Sequence, residues 1–207
     1  MRHGIACVAL VAFLISSPGC ELLYFAAGKG KTKAQYTLPK GKRVLILVDF
    51  ADGVVPPPSF AASLADKLGG DLFSNKVVDN LVSQEKILTL QHDNPDAFKK
   101  MKVGDVARET GADIVVNLFF VQLATPLTAD GSVIEGQATA YVHVYNKQGA
   151  RLWPSDATGT KETAAVGPTL LGDKNLNAVL NDLSGQVVTQ TSRMFRDYSQ
   201  EGHDFPH

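Results

Sequence analysis

The stretch Gly111-Ala-Asp-Ile-Val-Val-Asn-Leu-Phe-Phe-Val-Gln-Leu123 decides the fold. Its β-branched and aromatic residues form a near-continuous apolar run, the signature of a strand buried on both faces. Gly111 suits the left-handed turn that ends a preceding helix. The stretch therefore predicts the central strand of a sheet with helices packed on it, and a strand so buried is expected to contact no ligand.

Upstream, Val44-Leu-Ile-Leu-Val-Asp-Phe50 predicts a second buried strand, ended by Ala51-Asp-Gly53 and three prolines. Phe60, Leu64, Leu68 and Leu72 then recur every four residues and predict a helix, which Gly69-Gly70 should end or bend. Residues 76–79 predict a short strand and 80–90 a helix, although Ile87-Leu-Thr-Leu90 also fits a strand. Asn94-Pro95-Asp96 is a helix start, with a capping side chain, a first-turn proline and an acid at the positive end of the dipole. That helix is expected to run to Thr110.

Downstream, Asp130-Gly131 marks a turn, and residues 132–145 alternate. Ile134, Gly136, Ala138, Ala140, Val142 and Val144 make a core face of mostly small residues, open to close approach by a helix. Asn146-Lys-Gln-Gly149 predicts a hairpin turn, and Pro154 confines the strand from Ala150 to Trp153 to an edge. Residues 158–163 resume that strand. Asp173 is placed to cap a long last helix lined by Leu176, Val179, Leu180, Leu183, Val187, Thr191, Met194, Phe195 and Tyr198. The expectation is an α/β domain over residues 42–198, a mixed sheet with helices in the order β-α-β-α-β-β-β-α, and a flexible tail over 199–207.

The amino terminus has the plan of a secretory signal: Arg2, the apolar run from Ile5 to Ile15, then Ser16-Ser-Pro-Gly19. The run is shorter than the roughly 20 residues that span a bilayer. Gly19-Cys20 resembles the lipobox of bacterial lipoproteins, in which the Cys is lipidated and becomes the first residue. Ser17 and Pro18 depart from that pattern and leave ordinary signal-peptidase cleavage open. Residues 1–19 are read as signal peptide and 20–41 as a lipid-anchored cationic tether. Lys29, Lys31 and Lys33 stand in a segment, 29–43, that holds six cations and no acid. Beside a membrane such residues can touch anionic headgroups at about 1 kcal/mol each, or simply keep the tether solvated. Glu21 follows the Cys where an Asp would resemble an inner-membrane retention signal, which favours the outer membrane. A net formal charge of −1 argues against nucleic acid as a partner. A single Cys beyond the signal leaves no disulfide framework.

Catalytic patterns are sparse. Asp49 and Asp52 lie at the carboxyl end of a strand, where α/β proteins place ligands. They are the candidates for a periplasmic enzyme or small-ligand protein, yet short acids there are also ordinary turn formers. The histidines His92, His143, His203 and His207 lack metal-ligand spacing, and no Ser or Cys is framed as a nucleophile. Gly30-Lys31-Thr32 lacks the first Gly and the preceding strand of a phosphate loop. No cofactor or metal is expected. The better candidate is the polar side of residues 132–145: Glu135, Gln137, Tyr141, His143 and Tyr145 share one face at two-residue spacing, and aromatic rings of this kind are enriched at recognition surfaces. Ordinary cross-strand pairing on a solvated face accounts for the same pattern.

The element order, with residues 44–50, Lys76-Val-Val-Asp79, Val103-Gly104, Gly111-Ala-Asp-Ile-Val-Val116 and the Tyr-rich strand ending in Asn146-Lys-Gln-Gly149, resembles a group of bacterial envelope lipoproteins. The group includes the curli-secretion lipoprotein and the amino-terminal domain of the Tol-system periplasmic protein. The resemblance implies a domain similar to an anticodon-binding-type fold, held at a membrane by its lipid and facing the periplasm. It further implies a non-enzymatic role in protein binding or assembly, with an envelope protein or a second copy as partner. The long extra pairs of alternating strands that a channel needs are not found in the sequence.

Overall fold

The computed structural model describes residues 31–170, 172 and 175–199. It divides into two compact units, the larger covering Ala34–Arg196. Within the smaller unit, β1 (Lys31–Thr32) pairs antiparallel with β8 (Tyr198–Ser199), and Lys33 Nζ meets Asp197 Oδ2 at 2.9 Å. Tyr198 thus belongs to a strand and not to the last helix.

In the larger unit, β2 (Arg43–Phe50), β3 (Asn80–Leu81), β4 (Ile114–Ala124), β5 (Val133–Asn146) and β6 (Arg151–Trp153) form a sheet in the order β3-β2-β4-β5-β6. Strand β7 (Thr160–Leu170) also pairs with β5. β2 and β4 are parallel, and β5 is antiparallel to β4 on its other side, so β4 is central as its sequence requires. The class is α/β. Five helices are described: α1 (Phe60–Ser74), α2 (Glu85–Asp93), α3 (Pro95–Phe98), α4 (Val103–Thr110) and α5 (Leu176–Phe195).

One face of the sheet is closed. Val44, Ile46 and Val48 of β2, Ile114, Val116, Leu118 and Phe120 of β4, and the even positions of β5 meet Phe60, Leu64, Leu68 and Leu72 of α1 and Val179, Leu183 and Val187 of α5. Each such side chain stabilises the fold by roughly 1.5–3 kcal/mol. The small residues of β5 matter here, because a Cβ on Gly136 would stand 2.7 Å from Val179 Cγ1 and 3.0 Å from Leu183 Cδ1. Leu38 is 1 % exposed in this core with Tyr36 against it, so the domain begins before residue 42.

The opposite face is closed only over half its length. Leu45, Leu47 and Val115 pack beneath Ile87 of α2, Val106 and Ala107 of α4, and Phe98 and Met101. These helices differ from the expected pattern. The strand expected at 76–79 is displaced to β3, because Lys76 adopts a φ of 57° and Val77 and Val78 turn inward to the first core. Residues 87–90 are helical, and the segment opened by Asn94 is two helices: Asn94 Oδ1 accepts from Ala97 N at 3.0 Å, α3 ends after one turn, and Asp105 Oδ2 accepts from Lys102 N at 3.1 Å to start α4. Gly69-Gly70 does not end α1, which runs on to Ser74.

Gly111 closes α4 with φ 73°. The start of α4 meets the 146–149 turn backbone to backbone: a Cβ on Gly104 would lie 2.9 Å from the Gln148 carbonyl, and one on Gly149 3.1 Å from Gly104 N. Asn175, whose side chain accepts from Ala178 N, caps α5; Asp173 lies outside the described residues. Leu176 is 43 % exposed and does not line the core.

Candidate functional site

Past the reach of α2–α4 and of the loop after β6, the second face of the sheet is uncovered among the described residues. Odd-numbered positions of β4 and β5 share this face, with Asn117 opposite His143, Phe119 opposite Tyr141, and Gln122 opposite Thr139 beyond a bulge. Val121 is 38 % exposed, Phe119 and Tyr141 are half-buried, and Gln137 is exposed. The far end of the central strand is therefore accessible, contrary to the expectation that the whole stretch is buried on both faces.

The row Glu135, Gln137, Tyr141, His143, Tyr145 does lie along one strand, but not as a uniform solvated face. Tyr145 packs against the second core beside α4, and its ring is 5.8 Å from that of His143. His143 is 7 % exposed and Thr139 is 8 % exposed. The loop after β6 covers His143: a Cβ on Gly159, at φ 93°, would stand 2.5 Å from its Nε2. Burial first, and then the Arg151 charge, hold its pKa below the ordinary histidine value. Its Nδ1 is buried without a hydrogen-bond partner among the described residues. The alternation in the sequence shows which face His143 occupies. It carries no sign of a covering loop contributed from ten or more residues away.

Asp49 belongs to the same face. Asn117 Nδ2 donates to Asp49 Oδ2 at 2.7 Å, while burial, outweighing that bond, raises the carboxyl above its usual range. Asp52 is exposed in the following turn, whereas Asp49 is half-buried on the sheet. What the structure brings together is a row of Asp49, Asn117 and His143 across three strands, with Asn117, 4 % exposed, a member that sequence reasoning missed. Its signal was a single amide in an otherwise apolar run. Gln137 accepts from Gln122 Nε2 at 3.1 Å, and the turn at Asp130 is held by Thr128 and Ser132, which lower that carboxyl to about 2. Among the described residues, no three or more His, Cys, Asp or Glu are grouped to hold a metal ion.

Of the cations read as a tether, Lys31 and Lys33 are exposed, and Lys33 pairs with Asp197. Lys40 and Arg43 are tied to the domain, through Asp79 at 3.6 Å and Asp113 at 3.3 Å. The Arg43 bonds hold Asp113 below the usual carboxylate range. Cys20 and Lys29 lie outside the described residues. Among the described residues no helix is long and apolar enough to cross a membrane.

No family model matches the chain, and no curated protein matches it. Among solved structures it is similar to lipoprotein GNA1162 from Neisseria meningitidis, at 13 % identity and a TM-score of 0.44, over 73 % of this chain and 98 % of that one. A PelC dodecamer from Paraburkholderia phytofirmans shows 11 % identity and a TM-score of 0.41, over 81 % and 97 % of the two chains. The LpoB C-terminal domain from Salmonella enterica shows 17 % identity and a TM-score of 0.35, over 61 % and 82 %. Bacterial lipoproteins thus recur among the structures this chain is similar to, and the likeness does not single out the curli-secretion and Tol group.

Proposed function

We propose that this is a non-enzymatic, lipid-anchored protein of the cell envelope that binds another envelope protein or itself. Cys20 carries the lipid, Lys29, Lys31 and Lys33 lie near the headgroups, and the domain faces the periplasm. The observation that supports a binding role is the uncovered half-face, where Val121, Phe119, Tyr141 and Gln137 are presented on a rigid sheet. Mixed aromatic and polar surface of this kind is typical of recognition patches. Changing Val121 and Tyr141 together to Glu and capturing partners from native membranes tests the face; an unchanged partner set would refute it. Tyr145 is unsuited to that test because it is part of the second core. For the anchor, membrane association that persists in Cys20→Ser on cell fractionation would sink that part of the reading.

A second reading, small-ligand binding, is supported by the orphaned His143 Nδ1 on the same face as Asp49 and Asn117. It rests on Asp49 alone of the two acids. Nuclear magnetic resonance of the His143 ring during titration with a polar metabolite mixture would detect it, and an unmoved ring signal would dismiss it.

A further inference from the structure

Among the described residues strand β7 is bounded by β5 on one side only, and its other side is an edge. One residue of α5 occupies part of that edge. Ala165 N donates to Gln186 Oε1 at 3.2 Å, and Gln186 Nε2 donates to Ala165 O at 2.9 Å. This reciprocal pair is the pattern that a residue of an adjacent antiparallel strand would make, supplied by a side-chain amide that is chemically a peptide group. Because ladder bonds alternate, Lys161 and Thr163 turn their N–H and C=O the same way as Ala165, while Glu162 and Ala164 bond inward to β5. At the opposite edge the protein repeats the device in weaker form: β3 covers β2 only at Arg43 and Val44, and Gln84 Nε2 donates to Ile46 O at 2.9 Å. Open edges template pairing with other chains, and these glutamines occupy the positions a new strand would take.

We propose that the outer edge of β7 is a strand-addition site held shut by Gln186, and that the strand it accepts on release is β7 of a second copy of this chain. A twofold axis at Thr163 gives an antiparallel register that fits the sequence. Thr163 faces Thr163 of the other copy, Lys161 faces Ala165, and Glu162 faces Ala164, so no like charges stand directly opposite and a favourable Thr–Thr pair forms. In that register the Lys161 backbone of one copy takes over both bonds that Gln186 now makes to Ala165. The site is separate from the uncovered half-face, since Gln186 acts at the sheet edge and its variants leave Val121 and Tyr141 in place.

The test is sedimentation equilibrium of the purified full chain. Gln186→Ala is expected to self-associate at least about tenfold more tightly than the parent, the equivalent of about 1.4 kcal/mol. Adding Ala165→Pro should return it to the parent state, because the lost N–H points outward and no bond to β5 is removed. Amide exchange should show Lys161 and Thr163 newly protected in the associated form. A folded Gln186→Ala that associates no better than the parent overturns the proposal, as does association that survives Ala165→Pro or leaves those amides unprotected. Should Gln186→Ala fail to fold, Gln186→Glu keeps the helix and one bond but cannot donate to Ala165 O, and it is read in the same way.

Discussion

Along β5, neighbouring residues meet opposite circumstances: Gly136 sits beneath α5 with no room for a single added carbon, while Gln137 is exposed on the opposite face, at its end away from α2–α4. The same contrast extends across the sheet. The face toward α1 and α5 is filled from β2 to β7, whereas on the face toward α2–α4 the apolar cluster takes in Leu45, Leu47, Val115 and Tyr145 of the sheet. Each face nevertheless buries one titratable side chain with an orphaned atom, Glu162 on the closed side and His143 on the open side. A closed face is tuned by volume and a half-open one by polarity, and substitutions should separate the two.

The largest difference is expected from Gly136→Leu against Gln137→Leu. The first forces a side chain into Val179 and Leu183 and should cost about 3 kcal/mol or more, and the second should stay within about 0.5 kcal/mol, both read from urea midpoints. Equal losses would erase the distinction between the faces. Gly159→Ala should show that the open face has one strict point, losing about 2–3 kcal/mol through its positive φ and the His143 ring.

Charge gives the next tests. Burial lifts Glu162 to about 7, against 4.5 for the free side chain. The folded state therefore holds its proton more tightly than the unfolded chain, and stability falls as pH rises from 4.5 to 7. Glu162→Gln should gain on the order of 2 kcal/mol at pH 8 and lose that slope in pH-dependent unfolding. His143 has the opposite sign: with its pKa held below 6.5, the unfolded chain takes up the proton first, and stability falls as pH drops below 6.5. In the Glu162→Gln background that acid-side loss should stand alone, and His143→Gln should flatten it. Asp49→Asn should have the smallest effect, a gain within about 1 kcal/mol near neutral pH, since burial penalises its charge.

The closed face was legible in the sequence because it follows local periodicity. Phe60, Leu64, Leu68 and Leu72 announce α1, and the even residues of β5 announce the floor beneath α5. The open face was legible only in part. Its polar positions could be assigned to one side, but His143 is buried by Gly159 and its loop, and Tyr145 partly by the cluster with the helices of residues 85–110, contacts that no spacing within β5 encodes. Asp49 and Asp52 looked like a pair because they are three residues apart; the strand ends between them, and one turns onto the sheet while the other follows the turn into solvent. The division of 94–110 into α3 and α4 depends on Asp105 starting a new helix, a capping signal hidden beneath the stronger one at Asn94.

The bare contact between Gly104 and the 146–149 turn ties the choice of residue in one segment to that in the other. With no side chain between them, a carbon added at either glycine would press on the other's backbone, so the start of α4 and the β5–β6 turn must be kept bare together. The turn thereby helps to set where α4, one of the elements packed on the half-open face, can sit.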